Sequence, residues 1–157
     1  MHYAEFAGER LLLTLWVGSI WALGYLAVPL AFASLEVQIA AAYAARLFYA
    51  VNIIGLVSGS MLILGRLFMD KQVFKRSWRF WILLLMLGLT LFFMAYLQPE
   101  MAQIKEVAGW RDDDTLLASF QTLHRISENL YLMLSVLGLI LVLTADKKSA
   151  AQWHGEK

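Results

Sequence analysis

Hydrophobic positions along the chain fall into four long runs. Leu11 to Ala33 is twenty-three residues without a charge, Leu47 to Leu64 and Phe80 to Leu97 are eighteen each, and Leu116 to Thr144 is apolar apart from a recurring polar set. A helix needs about 20 residues to cross a hydrocarbon core. The pattern therefore predicts an all-α integral membrane protein with spans at about 11–33, 47–64, 80–97 and 125–144, in an up-down-up-down four-helix bundle. In the fourth run His124, Ser127, Glu128, Tyr131, Ser135 and Gly138 recur at helical spacing and share one face. The other faces are Leu, Ile, Met and Val. The most apolar part, Leu130 to Thr144, is fifteen residues, so a full span counts back to about Arg125. That places His124, Arg125 and Glu128 at the membrane surface or just below it. Ionisable groups at that depth are costly unless they face protein, so the stripe is the first candidate site.

The segments between the runs refine this frame. Ala31-Phe32-Ala33 resembles a signal cleavage site, but the apolar run before it far exceeds the about 7–15 residues of a signal peptide. Gly18 and Ala22, four apart, offer a small face for close helix approach, as do Gly55 and Gly59. Pro29 is expected to kink or end the first helix. Ser34 to Arg46 is alanine-rich and predicts a short interfacial helix, capped by Ser34 and running into the second span. Asn52, inside the second run, needs a partner in hydrocarbon and is expected to face the bundle. Pro99 is expected to end or kink the third helix. Met101 to Ala108 predicts a helical extension, with Gly109 as its left-handed terminator and Asp114 as the next N-cap.

Charge sets a direction. Arg66, Lys71, Lys75, Arg76 and Arg79 face a single Asp70 in the second connector, interleaved with Phe68, Phe74, Trp78 and Trp81. Lys71, Lys75, Arg76, Arg79, Trp78 and Trp81 are expected as interface anchors beside the lipid bilayer, and the cations also suit anionic lipid headgroups. With four spans, the N-terminus, this connector and the C-terminus share a side carrying nine Lys and Arg, against four on the other. The excess predicts cytoplasmic termini, an inner-membrane location and a cytoplasmic tail at 146–157. The composition, 61% hydrophobic with a net charge of +1, leaves room for one membrane domain and argues against a nucleic-acid partner. The absence of cysteine excludes disulfides, thiolate metal sites and a Cys nucleophile.

Candidate chemistry gathers at the expected external mouth. Arg46 and Asn52 open the second span, Gln98 and Glu100 close the third, and His124, Ser127, Glu128 and Tyr131 begin the fourth. Arg46 is expected to pair with Glu128, or else with Glu100. Such a mouth suits a small ligand or ion, with His124 able to hold a proton near neutral pH. The alternative reading of these groups is as caps and interhelical hydrogen bonds with no ligand. His124 is a weak metal candidate, because His2 and His154 are terminal and on the other side. No cofactor is expected: two histidines for an intramembrane haem are lacking, and no phosphate loop, dinucleotide motif or nucleophile-base pair appears. The acidic triplet Asp112, Asp113 and Asp114 reads as a helix start before it reads as a cation site.

Trp16-x-Gly18 through Pro29, Arg46-Leu47-Phe48, Leu97-Gln98-Pro99 and Phe120-x-x-x-His124-x-x-Ser127 occur in an order and spacing that resembles the transmembrane protein 205-like family. Its bacterial branch is a domain of unknown function. The resemblance runs from about Leu11 to Leu143. In the family pattern a Gly follows the His and an Asn stands seven residues beyond it. Here those places hold Arg125 and Tyr131, with Asn129 nearby, so a polar cluster built on that Asn is expected to be rearranged. The resemblance implies a four-span membrane protein without an established biochemical activity. A eukaryotic relative's link to platinum-drug tolerance, and a distant likeness to copper-resistance membrane proteins, hint at handling of metals or small solutes. The expected function is non-enzymatic: binding or passing a small ligand or ion at the external mouth. The alternative is a structural or accessory subunit of a membrane complex, with an enzyme or redox carrier last.

Overall fold

The computed structural model describes residues 2–69 and 78–144. Four apolar helical rods fill that range, each long and apolar enough to cross a membrane: Ala7–Ser34, Val37–Phe68, Trp78–Glu106 and Asp114–Leu143. The first consists of α1 (His2–Ser19), a π-helical segment Ile20–Ala27 and α2 (Val28–Ser34). The second is a single helix, α3 (Val37–Met69). The third is α4 (Trp78–Phe92), a π-helical segment Phe93–Leu97 and α5 (Gln98–Glu106), and the fourth is α6 (Asp114–Leu143). The rods alternate in direction, and each packs chiefly against its neighbours in a ring of first, second, third and fourth. The ring has a terminal end, where the chain enters and leaves, and a distal end, where 34–37 and 106–114 make the turns.

Neither proline breaks its rod. A proline ring clashes with the carbonyl four residues back and donates no hydrogen bond. Four residues before Pro29 and Pro99 stand Tyr25 and Ala95, both inside the π-helical segments. There the ladder widens by one residue, with Val28 N–H bonding Leu23 O and Gln98 N–H bonding Phe93 O. The helices continue through a locally wider turn, a recognised way of absorbing such a clash.

The helix expected over 34–46 runs into the second span, as predicted, and is one element with it. Leu35 is extended, which ends the first rod. Ala40 N–H bonds the Glu36 carbonyl, so α3 starts beside Glu36 and runs unbroken through Arg46. Ser34 closes the preceding helix rather than capping the next. On the other turn Gly109 has φ +75, the left-handed conformation expected of it. The cap of α6 is Asp113, one residue before the expected Asp114. Its carboxylate accepts from Thr115 N and Leu116 N, and the Thr115 hydroxyl adds a bond of 2.5 Å. Those bonds, the hydroxyl first and then the Leu116 and Thr115 amides, hold the Asp113 carboxyl below its usual range.

The middle of the bundle is organised around Trp16, which is fully buried. Its indole lies against Gly55 and Gly59 of α3, where an added Cβ would come 3.0 Å from Cε2 and 2.9 Å from Cη2 respectively. Gly138 of α6 takes the Val17 side chain in the same way, at 2.9 Å. Gly55 and Gly59 thus give close packing between the first two rods, as expected. Their partner is not the Gly18–Ala22 face, since Gly18 and Ala22 point outward. A single large side chain seated on two glycines replaces backbone against backbone. Ile20, Val51, Leu62, Phe80, Leu83, Met86, Leu134 and Leu141 complete the core.

Candidate functional site

Polar groups occupy three layers of this bundle. At the terminal end Glu9 of α1 pairs with Arg66 of α3 and lies 3.9 Å from Arg79 of α4. Arg79 donates to the Thr144 carbonyl at the end of α6, and to the Thr144 hydroxyl at 3.2 Å. All four rods therefore meet in one charged node. Arg79 is 6% exposed and its Nε has no hydrogen-bond partner among the described residues. It was expected among the interface anchors and is instead an internal cation. Guanidinium groups suit that task, being planar donors that can serve a carboxylate and a carbonyl at once. Trp78 and Trp81 are about half exposed on the outer surface. Lys71, Lys75 and Arg76 lie outside the described residues, as does the tail.

The second layer joins the first and fourth rods near mid-height. The Tyr131 hydroxyl donates to the Ile20 carbonyl at 2.7 Å, at the start of the widened turn. The Tyr25 hydroxyl donates to Ser135 at 3.0 Å, and Ser135 donates to the Tyr131 carbonyl at 2.7 Å. The Tyr131 ring rests on Gly24, where a Cβ would lie 2.6 Å from Cζ, and meets Phe48 edge-on at 5.1 Å. A hydroxyl buried in hydrocarbon is costly without a partner, and each of these has one. Asn52 is buried, as expected, though its amide makes no hydrogen bond among the described residues.

The polar stripe of the fourth rod divides between two environments. Tyr131, Ser135 and Gly138 face the bundle. Ser127 is half-buried and bonds its own helix at the Leu123 carbonyl. His124 and Glu128 point outward with side chains 58% and 65% exposed, and they pair with each other at 3.4 Å. The expected Arg46–Glu128 pair is therefore not formed. Arg46 is exposed on the surface of α3, in a shallow hollow with Gln38, Ile39, Ala42 and Tyr43. Gln98 and Glu100 are half-buried at the start of α5. The eight residues assigned to one mouth thus lie at several places around the distal half.

The distal end instead holds a ladder that the hydrophobic pattern did not reveal. Trp110 of the turn meets Phe120 at 4.8 Å, and Phe120 stacks on His124 at 5.9 Å with rings 9° apart. Lys105 Nζ sits 5.2 Å from the Phe120 centroid, and Arg111 Cζ 4.9 Å from that of Trp110. Cations over aromatic faces at these distances attract. The available signal was the recurrence of Phe120 and His124 at i, i+4, which puts both on one helix face. Among the described residues no group of three His, Cys, Asp or Glu converges to hold a metal ion.

Residues 11–109, more than half of the chain, match the family described as a domain of unknown function, DUF4149. The chain belongs to this family. The matched region covers the first three rods and stops at Gly109, before α6. Neither the curated proteins nor the solved structures provide a match to the chain. This DUF4149 protein is a multi-helix membrane protein of uncharacterised activity.

Proposed function

We propose that this DUF4149 protein is a non-enzymatic protein of the bacterial inner membrane, with both termini cytoplasmic, that binds a small ligand or ion at its distal, external end. The observation that carries the reading is the distal ladder. Lys105, Trp110, Arg111, Phe120, His124 and Glu128 come from a helix end, a turn and a second helix into one connected, accessible set. His124 is held there by stacking on Phe120 and by its contact with Glu128. The interior supports binding at the surface over passage, because Trp16 fills the space between Gly55 and Gly59.

The test is thermal unfolding of the purified protein in neutral detergent against small anions, cations and amphiphiles. A ligand that binds only the folded state at 100 times its Kd adds about 2.7 kcal/mol. At least one ligand class is expected to raise Tm in the parent and to lose that effect in Phe120→Ala and His124→Ala. Ligand effects that are nil, or equal in all three proteins, would transfer the assignment to the second reading, an accessory subunit of a membrane complex. One observation favours that reading: Gly18 and Ala22 present a small face outward next to the exposed Trp21 and Tyr25, whose rings meet tilted at 4.9 Å.

A further inference from the structure

Two cations of the distal end, Lys105 and Arg111, form no ion pair among the described residues. They stand over adjacent rings whose centroids are 4.8 Å apart, Lys105 over Phe120 and Arg111 over Trp110. The nearby acids do not pair with them. Asp113 is used by the cap of α6 and Glu128 by His124. Glu100, Glu106, Asp112 and Asp114 pair with neither cation. Two like charges seated on one ring pair, with no acidic partner among the described residues, suit an anion.

We propose that Lys105 and Arg111, over the Trp110–Phe120 ring pair, form a seat for a phosphate-type oxyanion, supplied either as a lipid phosphodiester headgroup or as free phosphate. The assignment rests on the distal-end binding reading and names its ligand class. A guanidinium fork matches two oxygens of a phosphate, while an ammonium serves a third as a point charge. Chloride offers only one centre. Trp and Phe rings at the end of a span also set the seat near headgroup depth. The stretch from Glu100 to Glu128 carries six acids against Lys105, Arg111 and Arg125, so no broad positive field draws an anion in. Free phosphate is therefore expected to bind weakly, with Kd on the order of 1 mM.

The test compares the parent, Lys105→Gln, Arg111→Gln and the double variant, all at exposed positions where folding is preserved. One arm titrates inorganic phosphate against chloride at matched ionic strength in neutral detergent, following Tm. The other extracts the protein from phosphatidylcholine vesicles containing phosphatidylglycerol and counts retained anionic lipid by native mass spectrometry. Each single variant is expected to weaken the response about tenfold, and the double variant to abolish it. A variant-sensitive response in the phosphate arm assigns the seat to free oxyanion, and one confined to the lipid arm assigns it to headgroups. Retained lipid that is equal in parent and double variant belongs to other cations, such as those of the second connector, and does not count. If neither arm distinguishes the double variant from the parent, the oxyanion seat is overturned. Should a ligand of another class still depend on Phe120 and His124, distal-end binding survives that result. If none does, both readings fall.

Discussion

Gly55 is the most informative single position for the packing of the bundle. A Cβ built there would come 3.0 Å from Trp16 Cε2 and 3.2 Å from Cδ1, and closer still to Nε1. Real Cβ contacts do not approach a ring that closely, and Trp16 is 0% exposed, so it has no free space into which to withdraw. Gly55→Ala should therefore cost about 1–3 kcal/mol, the range for overpacking a filled site. The helix propensity of alanine offsets up to about 1 kcal/mol of that. For a chain of this length, 1 kcal/mol moves Tm by roughly 2–4 °C. Gly18→Ala supplies the control, because nothing lies within 4 Å of its added Cβ; it should leave Tm unchanged or raise it slightly.

The mechanism is tested by a size exchange. Trp16→Phe alone removes ring volume and leaves a cavity, at a cost of a few kcal/mol. In Gly55→Ala/Trp16→Phe the new methyl enters space the indole has left, so the double variant should be more stable than the sum of the two single losses implies. Contacting residues show such coupling at about 0.5–3 kcal/mol. Circular dichroism melts in detergent give all four values without depending on tryptophan fluorescence. Additive losses, or a Gly55→Ala variant as stable as the parent, would show that the indole is not the wedge between the first two rods.

Two further outcomes follow from the terminal end and from the charge count. Arg79→Gln should cost about 2–4 kcal/mol, below the full penalty for breaking a buried pair because Glu9 is 32% exposed. A loss under about 0.5 kcal/mol in chemical denaturation would put Arg79 in solvent. Reporter fusions after Lys148 should read cytoplasmic and those near Gly109 external, from nine Lys and Arg against four. An external C-terminus would reverse every assignment of side.

Four apolar helices were legible because the run lengths match a bilayer and the periodicity of α6 is unambiguous. The lower stripe, Tyr131, Ser135 and Gly138, faces inward as its spacing implied. The upper stripe does not, because the spacing gives a shared face and not what stands opposite it. Opposite Tyr131 are Ile20 and Gly24, whereas His124 and Glu128 have no neighbouring rod to enclose them. The error over Arg79 has the same origin. A cation between aromatics at the end of a span looks like an anchor unless Glu9, seventy residues earlier, is known to be adjacent. Two small-residue pairs, Gly18–Ala22 and Gly55–Gly59, had identical spacing, and only the rotation of each helix decided which was buried. The prolines failed as terminators for a different reason. A π turn relieves the clash locally, and nothing in Tyr25 or Ala95 announces it.

The three polar layers differ in what they leave available to a ligand, and this bears on where the protein acts. The terminal node binds its own four rods together, with Arg79 Nη1 donating to Thr144 and Glu9 committed to two arginines, and Arg79 Nε, unpartnered among the described residues, is buried. The hydroxyls of the middle layer are likewise spent on one another and on the Ile20 carbonyl. A solute entering there would have to replace bonds that hydrocarbon makes costly to lose. It would also have to displace Trp16 from between its two glycines. At the distal end the balance is reversed. Lys105, Arg111, His124 and Glu128 are exposed, and Lys105 and Arg111 have aromatic faces but no acidic partner among the described residues. Unused donors accessible from outside can bind something without first unfolding anything. That asymmetry is the physical reason for placing the proposed ligand at the distal end and not within the bundle.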